Sequence, residues 1–144
     1  MSNRSFTNEV SIRVPVDAVS AAICDAMDFI RLNPGVVAAK QDPLHSDRYR
    51  VVSRQHLFGI PFKVRARLRI QRFDDGLATE SWSPFGVHLR SVWRLLPAAE
   101  QTRVLESTEI EAPRLLIEHA SAISRRSHGD MLFNLKQRLE RLGR

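Results

Sequence analysis

The order of residues predicts an α+β domain in which a curved antiparallel sheet of seven strands is covered by one long C-terminal helix. Three observations carry this. An alternating N-terminal segment gives way to helical spacing that stops at Asn33-Pro34-Gly35. Six further segments up to Glu111 alternate apolar and polar residues across short turns. Beyond Pro113, a helical apolar stripe runs to the end of the chain.

The elements follow in order. In Ser5–Val14, Phe6, Val10, Ile12 and Val14 share one face, and Pro15 ends the strand. Val16–Leu32 puts Val19, Ala22, Ile23, Met27 and Ile30 on one stripe, and its length with Asp25 in the middle suggests two short helices. Asn33 precedes a proline and so avoids the helical region. Six strands follow: Val36–Gln41, Tyr49–Phe58, Pro61–Phe73, Leu77–Ser83, Val87–Leu96 and Thr102–Glu111. Asp74-Asp75-Gly76 between two of them is a hairpin signal. Leu116, Ala120, Ile123, Ser127, Met131, Leu132, Leu135, Leu139 and Leu142 then mark one long amphipathic helix. A sheet curved around such a helix leaves a hollow between them, and such hollows are common ligand sites.

Composition bounds the class. At 144 residues, 43% hydrophobic and 26% charged, the chain fits one globular domain over residues 1–144. One cysteine excludes an internal disulfide framework and any multi-cysteine zinc site, and suits a reducing compartment. No apolar run approaches the ~18 residues of a membrane span, and MSNRSFTNEV lacks the apolar core of a signal peptide. The expectation is a cytoplasmic protein without a transmembrane segment.

Several segments resemble the START-like helix-grip superfamily (SRPBCC), which holds polyketide cyclases/dehydrases, plant pathogenesis-related allergens and lipid-transfer domains. They are VSIRVPVDAV at Val10–Val19, the short helix ending at a proline in Ala26–Val37, WRLLPAAEQTRV at Trp93–Val104, and the helix after Pro113. The Trp93 segment is similar to the family's aromatic-x-Leu-x-Pro turn followed by Thr and the last strand. The resemblance covers essentially the whole chain and rests on fold motifs, with no catalytic signature. It implies the helix-grip fold and a hydrophobic cavity between sheet and helix. Family members include enzymes and carriers.

Strand phase says which side chains face that cavity. Tyr49, Val51, Ser53, Gln55 and Leu57 oppose Arg50, Arg54 and His56, while Leu89, Ser91 and Trp93 oppose His88, Arg90 and Arg94. Charges favour the outside. With Leu68 from the neighbouring strand and Ile123, Ser124 and Ser127 from the helix, these predict a ligand site of Tyr49, Val51, Leu68, Leu89, Ser91, Trp93, Ile123, Ser124 and Ser127. The last strand is ambiguous: Val104, Glu106, Thr108 and Ile110 compete with Arg103, Leu105, Ser107 and Glu109 for the inner face. An inward Glu106 would be a carboxylate in an apolar hollow, suited with His128 to acid/base work. The alternative pairs Glu106 with an arginine or leaves it near the open edge.

The resemblance places Ala26–Leu32 at the cavity entrance, where Asp28 and Arg31 would orient an anionic group; three residues apart, they also suit a helix-surface ion pair. Cys24, beside Ile23, reads as a buried small hydrophobe. The five histidines show no metal-ligand spacing, and no glycine-rich phosphate loop occurs, so neither metal nor cofactor is expected. The net charge of +6 concentrates where Lys63, Arg65, Arg67 and Arg69 alternate with apolar residues, an outward face for an acidic protein or anionic lipid if it is not simply solvated. Nucleic acid is disfavoured because no aromatic residues interleave with these cations for stacking. The function expected is binding of a hydrophobic or polycyclic small molecule, either as a cyclase/dehydrase-like enzyme or as a non-catalytic lipid or quinone carrier.

Overall fold

The computed structural model describes residues 1–57 and 59–142. Strand β1 (Ser2–Ile12) leads through Pro15 into helices α1 (Val16–Cys24) and α2 (Ala26–Ile30). Then come β2 (Val36–Gln41), β3 (Arg48–Leu57), β4 (Ile60–Phe73), β5 (Gly76–Ser83), β6 (Val87–Ala98), β7 (Gln101–Ala112) and α3 (Ile117–Leu142). A turn of 3-10 helix at Pro84–Gly86 joins β5 to β6. Phe58, expected at the end of a strand, and the expected inward side chain of Leu57 lie outside the described residues.

All seven strands form one antiparallel sheet in the order β1-β7-β6-β5-β4-β3-β2. Neighbours in sequence are neighbours in space except β1, which pairs with β7 along its full length from Ser2↔Ala112 to Ile12↔Thr102. This puts the first and last strands under α3. The break between α1 and α2 falls at Asp25, whose extended backbone ends one helix and whose side chain accepts from the Asp28 amide to start the next. Because the chain restarts there, Ala26 and Phe29 join Ile30 in the core. Cys24 does not: it is exposed, correcting the expectation of a buried thiol. Val19 and Ile23 carry the buried face of α1, and the next residue is turned about 100° away from it.

The core fills one half of the space between sheet and helix. Ile12, Tyr49, Ile70, Leu77, Leu95 and Val104 from the sheet pack with α1, α2 and Met131, Leu132, Leu135 and Leu139 of α3. The same end of α3 is tied to β1 by polar bonds. Glu140 accepts from the Arg13 amide and from Lys136, and Lys136 also donates to the Ser11 carbonyl. The Arg13 amide, then Lys136, lower the Glu140 carboxyl from an ordinary 4.5 to about 2.

The Asp74–Gly76 turn depends on a close approach. A β-carbon at Gly76 would overlap the Trp93 carbonyl oxygen of the neighbouring strand. Gly76→Ala should therefore push β5 from β6 and cost about 1–3 kcal/mol, as overpacking does. Urea unfolding measures this, and an unchanged midpoint would refute it.

Candidate functional site

Side chains do not fill the other half of the space under α3. A cavity of about 440 Å³ lies between the inner face of β3–β6, α2 and the first half of α3. That volume suits a drug-sized molecule. Its walls follow from strand phase. Val51, Ser53 and Gln55 of β3, Phe62, Val64, Ala66 and Leu68 of β4, and Leu89, Ser91 and Trp93 of β6 face inward. Ala120, Ile123, Ser124, Ser127 and His128 roof it from α3. The composition of α3 explains the division of space, because its leucines begin at Leu132, over the core, and its serines precede them, over the cavity.

Eight of the nine predicted ligand-site residues line this cavity: Val51, Leu68, Leu89, Ser91, Trp93, Ile123, Ser124 and Ser127. Tyr49 does not. It has the inward phase but is buried in the core cluster, one step nearer the end of the sheet that α1 and α2 fill. Asp28 and Arg31 are also absent from the lining. Asp28 approaches Arg138 at 3.8 Å rather than Arg31, and Arg31 is exposed at the end of α2. It is Phe29, Ile30 and Asn33 that α2 and its following turn present to the cavity. The buried lining residues mark its deep end, at Phe29, Ser91, Trp93 and Met131; the exposed ones, Pro84, Phe85 and His119, mark its mouth.

At the deep end lies a polar network. On β7 the inner phase is Thr102, Val104, Glu106, Thr108 and Ile110, all buried, which settles the ambiguous strand. Glu106 is 0% exposed. It meets neither an arginine nor the sheet edge. Its Oε1 lies 2.5 Å from His128 Nδ1, and its Oε2 accepts from Asn8 Nδ2 at 3.2 Å. The Thr108 hydroxyl donates to Oε1 and lies 2.6 Å from the Ser91 hydroxyl. Among the described residues, every buried side-chain nitrogen and oxygen has a partner. A carboxylate at Oε1 accepts a hydrogen bond from the Nδ1–H of a neutral imidazole, which leaves Nε2 as the basic nitrogen outside the network. His128 is wedged edge-on against Phe6 at 5.7 Å, with Trp93 at 6.3 Å. These aromatic neighbours fix the ring while it lines the cavity.

Asn8 and Thr108 were not singled out from the sequence, although each shares a phase with residues that were: Asn8 with Phe6 and Val10, Thr108 with Glu106. Thr79, Ser81 and Ser83 of β5 also line the cavity and add a row of hydroxyls to an otherwise apolar wall. Their strand, GLATESWS, is polar on both faces, so no phase stands out as buried.

The basic residues occupy the opposite face of the sheet. Lys63, Arg65 and Arg67 are exposed, and Arg69 pairs with Asp47 at 3.2 Å. Across β3 stand Arg48, Arg50 and Arg54, in register with Arg69, Arg67 and Lys63. Glu80 is engaged by His88 at 2.7 Å and Arg90 at 3.1 Å. Burial pushes its carboxyl up, but the bonds from His88 and Arg90 outweigh burial and hold it below the usual range. Among the described residues, no group of three His, Cys, Asp or Glu side chains could hold a metal, and no helix is long and apolar enough to cross a membrane.

No family model matches this sequence, and no curated protein matches it. Solved structures do. The Zhui aromatase/cyclase from Streptomyces sp. R1128 aligns with a TM-score of 0.77 at 17% identity, over 99% of this chain and 97% of that one. A START superfamily protein from Mycobacterium smegmatis aligns with a TM-score of 0.70 at 10% identity, over 96% and 98%. The di-domain ARO/CYC BexL of the BE-7585A biosynthetic pathway aligns with a TM-score of 0.65 at 18% identity, over 95% of this chain and 46% of that one. The chain has the START-like helix-grip fold.

Proposed function

We propose that this protein binds a hydrophobic, polycyclic molecule bearing oxygen substituents and carries out acid/base chemistry on it, of the cyclisation or dehydration type. The observation that carries this reading is His128 at the deep wall of an apolar cavity, its Nδ1 held 2.5 Å from the fully buried Glu106. In this reading Nε2 takes a proton from a carbon flanked by carbonyl groups, and the resulting enolate attacks a second carbonyl within the same molecule. The protonated imidazole then returns that proton to the new alkoxide, giving a hydroxyl. For dehydration Nε2 takes the remaining proton from the same carbon and delivers it to the hydroxyl, which leaves as water as the carbon–carbon double bond forms, while Glu106 holds the ring and balances its charge. Glu106 acts through His128 and is a positioning residue. The β5 hydroxyls supply hydrogen bonds to ligand oxygens, Ser91, whose own proton goes to Thr108, accepts from a ligand hydroxyl, and the apolar walls exclude water. Two of the structural neighbours are an aromatase/cyclase and an ARO/CYC, which agrees with this chemistry.

The second reading is a carrier, in which the polar groups only orient a lipid or quinone. One observation favours it: Asn8 and Thr108 complete the hydrogen bonding of Glu106 without any substrate. Native mass spectrometry of the purified protein, before and after incubation, identifies a co-purified ligand and any conversion of it. Conversion in step with the protein supports the enzyme; an unchanged ligand supports the carrier.

Occupancy has its own signal. Trp93 is 1% exposed on the cavity wall, whereas Trp82 is 42% exposed on the outer face, stacked on His88. Titration with anilinonaphthalene sulfonate should quench Trp93 emission, and Trp93→Phe should remove most of that response. Iodide should quench chiefly Trp82. Full access of iodide to Trp93 would refute the cavity as drawn.

A further inference from the structure

The outer face of the sheet is divided in its charges. Over β5–β7 the signs alternate: Glu80 stands opposite Arg69 on one side and Arg90 on the other, Arg90 stands opposite Glu109, and Arg103 pairs with Glu9. Over β2–β4 they do not. Lys40 is opposite Arg50 and Arg50 is opposite Arg67, while Arg54 faces Lys63 and Arg48 faces Arg69. Asp47 engages Arg69, but among the described residues no carboxylate pairs with the others, all of which are exposed. Like charges directly opposite one another destabilise a sheet. A merely solvated face does not require that cost, as β5–β7 shows. Protection of a sheet edge accounts for Lys40 on β2, but Arg50 and Arg67 stand on interior strands. A polyanion laid over the array offsets the repulsion.

Two features narrow the polyanion. Arginine supplies all of these cations but Lys40 and Lys63, and a guanidinium meets phosphate through two parallel hydrogen bonds. Along β4 the cations recur at every second residue, roughly 6.8 Å apart, an interval that successive phosphates of an extended single strand match. The second feature is aromatic. Along the chain no aromatic residue interleaves with these cations, but across the sheet one does. Trp82 of β5 is opposite Arg67 and so continues the row that begins at Lys40. His88 stacks on it at 5.4 Å and 15°, and 42% of Trp82 remains exposed. A half-exposed indole at the end of a row of cations is a platform on which a base stacks while its phosphates follow the cations. An acidic protein would use the cations and leave the indole idle. A bilayer would need apolar side chains to bury, and the outer positions of β4 from Lys63 to Arg69 are all cationic.

We propose that the outer face of β2–β5 binds single-stranded nucleic acid, with phosphates along the rows of Arg50, Arg54, Lys63, Arg65 and Arg67 and a base stacked on Trp82. The site lies on the far side of the sheet from the cavity and stands whether the protein is an enzyme or a carrier.

The test is fluorescence anisotropy of a labelled uridylate dodecamer across a range of salt. The full chain is compared as wild type, Trp82→Leu, Arg50→Gln/Arg67→Gln, and the charge-matched control Arg125→Gln/Arg126→Gln, whose residues are exposed on α3. All four should melt cooperatively, and Arg50→Gln/Arg67→Gln no lower than wild type, because the pair it removes is repulsive. Wild type should lose affinity with a log–log salt slope steeper than about −2, as when three or more phosphates are neutralised. Arg50→Gln/Arg67→Gln should make the slope shallower by about 1.4, two contacts fewer, while the control leaves it unchanged. Trp82→Leu should weaken binding by about five- to a hundredfold at an unchanged slope, the size of one lost stacking contact. In a Trp93→Phe background, which leaves Trp82 as the sole tryptophan, the dodecamer should quench emission. A duplex of the same length should bind more weakly despite its higher charge density, because its bases already stack on one another. No binding of the dodecamer at low salt, equal binding by Trp82→Leu, or duplex binding as tight as single strand would overturn the proposal. So would binding to polyglutamate or phosphatidylglycerol vesicles in place of the dodecamer, which would assign the face to an acidic protein or a membrane.

Discussion

Truncation after Ser127 should leave a chain that does not fold. The deletion removes Met131, Leu132, Leu135 and Leu139, all buried on the core half of the sheet. Each contributes about 1.5–3 kcal/mol by its burial, and the four together match the roughly 5–15 kcal/mol by which a domain of this kind is stable. The loss is not confined to those side chains. Ile12, Val19, Leu95 and Val104, now sealed, would face water. The bond from Asn134 to the Leu32 carbonyl and the Lys136–Glu140 ties to β1 would go with the helix. Leu135→Ala serves as a graded control and should cost about 2–5 kcal/mol while preserving a cooperative transition. Circular dichroism and thermal melts of the two variants decide the matter. A soluble truncation with a cooperative melt would show that α3 is not what closes this core.

How much of this could be read from the residues alone differs by level. Element order was legible because its signals are local: Pro15 ends a strand, Asp25 divides two helices, and the turn at Asp74–Gly76 needs a residue without a side chain. Inward phase was legible wherever charges occupy every second position, as in Phe62–Ile70, because a row of arginines can face only water. It was not legible on β7, where both phases carry a charge. Tyr49 shows a different gap. Alternation tells which face a side chain takes, but whether that face meets packed core or open cavity depends on where α1 and α2 come to rest. Glu106 and His128 were legible as candidates, but the part of Asn8 in their network escaped for a related reason. Asn8 and Glu106 are 98 positions apart and meet only because β1 pairs with β7, a contact that no local pattern encodes.

His128→Phe alone is expected to cost about 1.5–3 kcal/mol. It leaves a fully buried carboxylate without its charge-assisted hydrogen bond from the imidazole, with only Asn8 and Thr108 to satisfy it. Glu106→Leu combined with His128→Phe should recover most of that loss, since removing both members of a buried pair leaves no unpaired charge. The polar groups around them stay satisfied: Ser91 and Thr108 keep their mutual bond, and Asn8 keeps the Arg125 carbonyl at 3.4 Å. Urea unfolding of the two single variants and the double gives the coupling energy directly. The same proteins separate enzyme from carrier. Ligand identified by mass spectrometry should still quench Trp93 in the stable double variant. If the dyad is the general base, conversion should fall by about 10²–10⁴-fold, because binding by the walls remains while proton transfer is lost. Conversion at the wild-type rate in the folded double variant would move the chemistry away from His128. The network would then be a structural tie between β1, β7 and α3.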